Sequence, residues 1–170
     1  MISVAFSCSS RDAALGFAPH VAQIFAVLQT LPISHVTYGG GHTGLMGCVR
    51  AEAEKCGIPV QGYNLTRWHT HADDMVLPTL TLRQAAILDQ DVAIFLPGGI
   101  GTLYELTQVL CEADTKEQSR AIVLYDPDHY FDPFLQWYET IVTRGIGNPL
   151  QCHVVHDPVQ LQIFMTRCIK

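Results

Sequence analysis

The chain has 170 residues, of which 48% are hydrophobic and 15% are charged, and its net charge is −6. This composition excludes a disordered chain, and the acidic charge disfavours a general nucleic-acid binder, which needs a basic face. No apolar run approaches the ~20 residues that span a bilayer, and no signal peptide pattern opens the chain. We therefore expect one cytoplasmic domain, residues 1–170, with neither a nucleic-acid nor a membrane partner.

Six cysteines lie along the chain without a C-x-x-C pair or a zinc-ligand spacing. They are Cys8, Cys48, Cys56, Cys111, Cys152 and Cys168. Several fall on apolar positions, so we expect reduced thiols in the core of a cytosolic protein.

Short apolar runs alternate with segments of helical periodicity along the chain. The runs that predict strands are residues 2–6, 35–38, 58–63, 92–96, 121–125 and 153–155. The helical patterns are one with Val21, Ile24, Phe25 and Leu28, one ending near Cys56, one starting at Thr81, and those over 103–113, 131–144 and 158–168. This alternation predicts an α/β fold: a Rossmann-like, doubly wound parallel sheet with helices on both faces.

The connections between these elements add further expectations. Pro19 predicts a kink or a late start of the first helix, and Gly57 is a suitable cap for the end of the second. Residues 64–77 are polar and predict a loop over the site, and the glycines of 145–149 end the fifth helix.

The segment PGGIGTLYE, residues 97–105, lies between the fourth predicted strand and a helix. Backbone N–H groups at a helix N-terminus favour an anion, and glycines lack the Cβ atoms that keep a phosphate away from the backbone. We therefore predict that Gly98, Gly99, Gly101 and Thr102 bind a phosphate, with Glu105 one turn behind it.

A second glycine turn, GGGHTGLMG at residues 39–47, follows the second predicted strand. In a doubly wound sheet the carboxyl ends of the strands form one edge, so both glycine turns and the small residues 7–10 should meet there. Such an edge suits one mononucleotide. We predict that four further residues of these turns contact it: Ser9, Gly40, Gly41 and Thr43.

The second turn also matches G-x-G-x-x-G through Gly39, Gly41 and Gly44. A dinucleotide site would need an acidic residue about 20 positions further on, and residues 62–66 contain none. The sequence therefore disfavours NAD and FAD, and the absence of G-x-x-x-x-G-K-[ST] disfavours a P-loop NTPase.

Arg83 and Glu105 are the candidate charged residues of the site. An arginine suits bidentate contact with a phosphate or carboxylate, and Glu105 would face a sugar. A structural alternative stays open, because Thr102 with Glu105 and Thr81 with Gln84 each match a capping box. In that case Glu105 ties its own helix start and Arg83 is a surface charge. The glycine turns could likewise serve tight packing without a ligand.

Other chemistries have weaker support. The lysines, Lys55, Lys116 and Lys170, lie away from the glycine turns, which disfavours a Schiff-base enzyme. His69 and His71 alternate as metal ligands could, but no nearby acid or cysteine completes a set. The serine-nucleophile motif G-x-S-x-G is absent. We expect neither a metal nor a cofactor.

These motifs together resemble those of the LOG (Lonely Guy) family, whose members are often mislabelled lysine decarboxylases. Residues 97–105 match P-G-G-x-G-T-x-x-E, residues 39–47 are similar to G-G-G-x-x-G-L-M-G, and residues 7–10 resemble C-G-S-S. The resemblance covers about two thirds of the chain, and the two glycine motifs are specific only in combination.

The resemblance implies a Rossmann-like homodimer that acts on an AMP-like nucleotide. LOG proteins are cytokinin riboside 5′-monophosphate phosphoribohydrolases, which cleave the N-glycosidic bond of a nucleoside 5′-monophosphate to give free base and ribose 5-phosphate. Their catalytic pair is the arginine of M-x-x-R-K and the last glutamate of the glycine motif. By position these residues are Arg83 and Glu105.

The chain departs from the family pattern in three places. The arginine motif lacks its methionine and has Gln84 in place of lysine, Tyr104 replaces a glutamate, and residues 112–117 replace a tryptophan-containing stretch. These changes bear on phosphate affinity, the base pocket and the shape of the dimer. Two alternatives stay open: a nucleotide-binding or carrier protein without catalysis, which Gln84 favours, and an NAD-dependent oxidoreductase.

Overall fold

The computed structural model describes residues 1–68, 72–117 and 119–169. Within these residues, seven parallel strands form one sheet. The strands are β1 (Ile2–Ser7), β2 (Ile33–Tyr38), β3 (Val60–Leu65), β4 (Met75–Leu77), β5 (Val92–Phe95), β6 (Ala121–Tyr125) and β7 (His153–Val155). The predicted third strand is shifted by two residues, and the fifth and last predicted strands are correct.

Within the described ranges there are six α-helices, five between strands and one after the last strand. They are α1 (Ala18–Leu28), α2 (Gly44–Lys55), α3 (Leu80–Leu88), α4 (Ile100–Asp114), α5 (Asp132–Thr143) and α6 (Pro158–Cys168). The late start of α1 is confirmed, because a 3-10 helix over Asp12–Phe17 precedes it and Pro19 lies in its first turn. Gly57 follows α2 with a φ of +66°, as expected of a helix-ending glycine. Among the described residues, no helix combines the length and apolarity that a membrane crossing requires.

The strand order β4-β3-β2-β1-β5-β6-β7 is that of a doubly wound sheet. β1 lies in the middle, with Ala5 paired to Thr37 of β2 on one side and to Ala93 of β5 on the other. The winding direction reverses between β1 and β5. The predicted Rossmann-like α/β fold is confirmed, and its switch point lies at the carboxyl end of β1.

Helices cover both faces of the sheet. Side chains of α1, α2 and α6 pack with one set of strand residues, including Val4 and Ile94, and those of α3, α4 and α5 pack with the other, including Ala5 and Phe95. Because strands buried on both faces read as continuous apolar runs, VAIFL at residues 92–96 was recognisable as a strand.

Two sequence predictions need correction. Residues 64–77 are not one loop, because β3 extends to Leu65 and residues 75–77 pair with it as the edge strand β4. The prediction that the cysteines lie in the core is wrong for Cys111, which is exposed, whereas Cys8 is buried; all six are free. His69 and His71 lie outside the described residues.

Candidate active site

The three small-residue turns meet at the carboxyl edge of the sheet, as predicted. The backbone N–H of Ser9, after β1, donates to Pro97 O, after β5, at 3.2 Å. The N–H of Met46, in α2, donates to Ser9 O at 3.2 Å, and the Thr43 hydroxyl donates to Ser10 O at 2.6 Å. The turn after β1 therefore lies between the two glycine turns and is hydrogen-bonded to both.

The N-terminus of α4 is open on its outer side. Gly99 is its N-cap residue, and the first backbone N–H groups of any helix lack a partner within that helix. A Cβ added at Gly99 or Gly101 would meet nothing within 4 Å, whereas one at Gly98 would lie 2.0 Å from Thr102 Oγ1. Gly98 is thus required by packing, and the other two glycines border space that an anion can occupy.

Glu105 does not cap its own helix. Thr102 and Glu105 lie inside α4, after the N-cap residue Gly99. The buried carboxylate instead accepts a hydrogen bond on Oε2 from the hydroxyl of Ser7, the last residue of β1. The capping-box alternative at residues 102–105 is therefore wrong.

Arg83 is buried rather than a surface charge. Its helix, α3, begins after Thr79, whose hydroxyl accepts from Leu82 N, so the capping box suggested at Thr81 is also wrong. The Arg83 guanidinium donates from Nε to Tyr63 O and from Nη2 to Gly39 O, both at 2.8 Å. Arg83 consequently ties β3 and the turn after β2 to α3.

The two predicted catalytic side chains face each other without a direct hydrogen bond. Arg83 Nη1 lies 3.9 Å from Glu105 Oε1, which is beyond hydrogen-bond distance. Each side chain is fixed through its other polar atoms. A gap of this size between a donor and an acceptor suits one bridging oxygen, such as a water or a sugar hydroxyl.

Burial dominates the electrostatics of this pair. Burial raises the pKa of Glu105, and the Ser7 hydrogen bond and the positive charge of Arg83 oppose that rise. Burial likewise lowers the pKa of Arg83, and the charge of Glu105 opposes that change. A carboxylate whose pKa lies above the ordinary range is suited to exchanging a proton or orienting water.

The turn after β2 is closed by the protein itself. The first N–H of α2, from Gly44, donates to Asp12 Oδ1 at 3.1 Å. Gly44 has a φ of +59°, and a Cβ there would lie 2.6 Å from the carbonyl carbon of Ser10. Gly40 has a φ of +69° and its carbonyl accepts from Asn64 Nδ2 at 2.8 Å. This helix N-terminus is therefore filled by side chain and backbone.

The remaining predicted binding residues lie on this edge with partners of their own. A Cβ at Gly41 would lie 2.9 Å from Met46 Sδ. Thr43 is exposed, and Ser9 Oγ accepts from Arg11 N at 3.0 Å. The binding role assigned to Ser9, Gly40, Gly41 and Thr43 stays a prediction.

Sequence reasoning missed several residues that shape the site. Ser7 contacts Glu105, and Trp68, 47% exposed, has its ring centroid 5.7 Å from the Arg83 guanidinium carbon. Tyr130 donates from its hydroxyl to Gly98 O, and the carboxylate of buried Asp126 accepts from Tyr130 N at 2.6 Å. The position of Ser7 and Asp126 directly at strand ends was the available signal.

Two cavities of about 250 Å³ each lie elsewhere, at the amino edge of the sheet. Arg120 lines both, and its Nη1 lies 3.0 Å from Glu112 Oε2. Neither cavity is lined by a residue of the three turns. The candidate site is thus defined by its converging turns and buried charge pair. Among the described residues, no group of three or more His, Cys, Asp or Glu side chains could hold a metal.

Solved structures of low sequence identity share the fold. A molybdenum cofactor binding protein from Rippkaea orientalis has a TM-score of 0.68 at 17% identity, covering 99% of this chain and 96% of its own. A Moco carrier protein from Chlamydomonas reinhardtii has a TM-score of 0.68 at 18% identity, covering 98% of this chain and 95% of its own.

Curated relatives share more of the sequence. A cytokinin riboside 5′-monophosphate phosphoribohydrolase of Mycobacterium tuberculosis is 30% identical over 122 residues, 67% of this chain and 65% of the relative. A protein of Oryza sativa subsp. japonica named as a probable enzyme of that activity is 30% identical over 71% of this chain and 52% of its own length. The chain spans between about half and two thirds of these relatives.

The family described as "Possible lysine decarboxylase" matches residues 36–161. That range contains both glycine turns, Arg83 and Glu105. The resemblance to LOG proteins is thereby confirmed, and the chain belongs to this family.

Proposed function

We propose that the protein hydrolyses the N-glycosidic bond of a nucleoside 5′-monophosphate, with AMP and N6-modified adenosine monophosphates as candidate substrates. The observation that carries this proposal is the buried Arg83–Glu105 pair, 3.9 Å apart, on the edge that also presents the open N-terminus of α4. The activity for which the relatives from Mycobacterium tuberculosis and Oryza sativa are named supports the same reaction.

The phosphate binds at the start of α4 in this proposal. Gly99 and Gly101 leave room for it, and the first N–H groups of the helix donate to its oxygens while the helix dipole favours its charge. Gly98 and Thr102 pack together and fix the turn, and their predicted contact with the phosphate stays a prediction. Because backbone N–H groups supply these contacts, a protein with a net negative charge can still bind a phosphate here.

The ribose then lies toward Glu105. As the N-glycosidic bond breaks, positive charge develops on the sugar, and the ionised carboxylate stabilises it and orients water toward C1′. Water adds to C1′ and gives up one proton to the Glu105 carboxylate, the electron pair of the broken bond leaves with the base, and the base takes up one proton from solvent, while Glu105 later returns its proton to solvent. Arg83 Nη1 donates a hydrogen bond to the substrate and keeps its own proton. The products are free base and ribose 5-phosphate.

The family description suggests a different reaction, which the lysines of this chain do not fit. A decarboxylase that uses pyridoxal phosphate needs a Schiff-base lysine in its site. Lys55 is exposed at the end of α2, with Nζ 3.2 Å from Glu52 Oε2, and Lys116 is exposed beyond α4. Lys170 lies outside the described residues.

To test the proposal, the protein is incubated with AMP and with N6-substituted adenosine monophosphates. The release of free base and ribose 5-phosphate is then measured by chromatography. Glu105→Gln keeps the size of the side chain and an acceptor for Ser7, so the fold should persist while turnover falls about 10²–10⁴-fold. Glu139→Gln, on the exposed face of α5, is the matched control and should retain full activity. Undiminished release by Glu105→Gln would contradict the assignment.

A second candidate is a nucleotide-binding or carrier protein without catalysis. Gln84, at the position of the family's motif lysine, is buried, and its Oε1 has no hydrogen-bond partner among the described residues. An amide there provides no positive charge for a phosphate. Tight binding of intact AMP without base release would favour this candidate.

We also propose a cytoplasmic homodimer, as the family resemblance implies. The neighbouring helices α3 and α4 expose apolar side chains, including Leu82 (51% exposed), Ile100 (82%) and Leu103 (38%). Light scattering of the purified protein distinguishes a dimer from a monomer.

A further inference from the structure

The hydroxyl of Ser7 makes the hydrogen bond that fixes Glu105 from outside its own helix. Ser7 ends β1, the central strand, and is 2% exposed. Its Oγ donates to Glu105 Oε2, although the two residues are 98 positions apart in the chain. Because both side chains are buried, movement of either one would break this hydrogen bond in the packed interior, where water cannot replace it.

The surroundings of Glu105 provide little other support for its charge. The buried thiol of Cys8 has a pKa that is raised by its own burial and further by the charge of Glu105, so it gives that charge no support. The facing positive charge is Arg83 of α3, at 3.9 Å, too far for a hydrogen bond. A hydrogen bond to an ionised acceptor is stronger than one between neutral groups, so the Ser7 hydroxyl carries much of the local stabilisation.

The hydrogen bond from Ser7 also gives the two oxygens of the Glu105 carboxylate different roles. Because Oε2 is held by Ser7, Oε1 is the oxygen that faces Arg83 Nη1. A carboxylate without that anchor can turn about its terminal torsion, which is broad in glutamate. Ser7 therefore fixes both the charge and the direction of Glu105.

We propose that Ser7 is a positioning residue that keeps Glu105 ionised and directs Oε1 toward the substrate. This inference rests on the proposed hydrolase function for its kinetic consequences. Its effect on the Glu105 carboxylate is a property of the unliganded protein and can be measured separately.

The first measurement is a ¹³C NMR titration of the Glu105 side-chain carboxyl in unliganded protein labelled at glutamate. In Ser7→Ala, loss of a hydrogen bond to the ionised form should move the Glu105 midpoint upward by about one pH unit or more. Ser7→Cys keeps a weak donor and should give a smaller shift in the same direction. Ser3→Ala is the matched control, since Ser3 also donates to a carboxylate, Asp91 Oδ2 at 2.9 Å, at the opposite end of β1.

The second measurement is the pH profile of kcat/KM for the substrate that the wild-type protein hydrolyses. Activity needs ionised Glu105, so it is lost as the pH falls through the pKa of that group. In Ser7→Ala the acid limb should move upward by the same amount as the NMR midpoint, and activity should recover at higher pH. A merely structural role of Ser7 would lower activity equally at every pH.

The outcomes separate the two proposals. A Glu105 midpoint that is unchanged in Ser7→Ala, or moved equally by Ser3→Ala, overturns the role of Ser7. Absence of base release by the wild-type protein overturns the hydrolase function, while the NMR shift still decides the role of Ser7. If circular dichroism shows that Ser7→Ala does not fold, Ser7→Cys provides the decisive titration, and an unmoved midpoint there overturns the inference.

Discussion

The two glycine turns of this protein have similar sequences, but they differ in the space that they leave beside the helix N-terminus that follows. The turn after β2 is closed: Asp12 occupies the N-terminus of α2, and Gly44 is pressed against the backbone of Ser10. The turn after β5 is open, since Gly99 and Gly101 have no heavy atom within 4 Å of an added Cβ. One turn uses its glycines to build the fold, and the other leaves space beside a helix N-terminus.

This difference shows that a glycine-rich motif does not by itself indicate a phosphate site. What distinguishes the turns is whether the protein already supplies an acceptor for the helix N–H groups. Substitutions at the two turns should therefore affect different properties, and the largest effect is expected at the closed one.

Gly44→Ala should lower the free energy of unfolding by about 2–4 kcal/mol. The new methyl group would lie 2.6 Å from Ser10 C, and alanine at a φ of +59° is strained. Urea denaturation measures the effect. A loss below roughly 0.5 kcal/mol, within the usual range for neutral surface changes, would show that the turn can relax and is not closed by packing.

Gly101→Ala, in the open turn, should weaken anion binding without lowering the stability. Alanine is the better helix former, so the stability should be unchanged or rise by about 0.5–1 kcal/mol. Phosphate or AMP binding, measured by calorimetry, should weaken about tenfold or more, because a methyl group enters the open space. Gly16→Ala, also without a neighbour within 4 Å of an added Cβ, is the control and should bind normally. Equal affinities in the two variants would place the anion elsewhere.

Asp12→Ala should have the smallest effect, a loss of about 1 kcal/mol of stability. It removes the acceptor for Gly44 N and a negative charge beside the N-terminus of α2. Thermal unfolding at low salt measures this loss of stability. The control is Asp128→Ala, at an exposed position after β6, which should lower the stability by less. If both substitutions cost the same, the hydrogen bond to Gly44 contributes nothing specific.

The sequence predicted the fold and the positions of the turns because both follow from local signals. Apolar runs such as 92–96 mark buried strands, and parallel strands necessarily bring their ends to one edge. The edge strand β4 was missed because its apolar run, Met-Val-Leu, is only three residues long and follows a polar segment; it is not buried like the central strands, and Met75 is 50% exposed.

The contacts of Glu105 could not be predicted in the same way. A capping box is a local pattern, whereas the actual partner, Ser7, is 98 residues away and is brought close only by the pairing of β1 with β5. The closed state of the turn after β2 depends similarly on Asp12, which comes 32 residues before Gly44. Only the tertiary structure distinguishes these contacts from the local alternatives.

The central position of β1 also has a consequence for synthesis on the ribosome. β1 is made first, but its pairing with β5 waits until residues 92–95 have been translated. A nascent chain that ends before β5 therefore carries the apolar strand Ile2–Ser7 with one edge unpaired, a state prone to aggregation or chaperone capture. The pairing of β1 with β5 also brings Ser7 close to Glu105, so the step that removes the exposed edge is the step that allows this buried hydrogen bond to form.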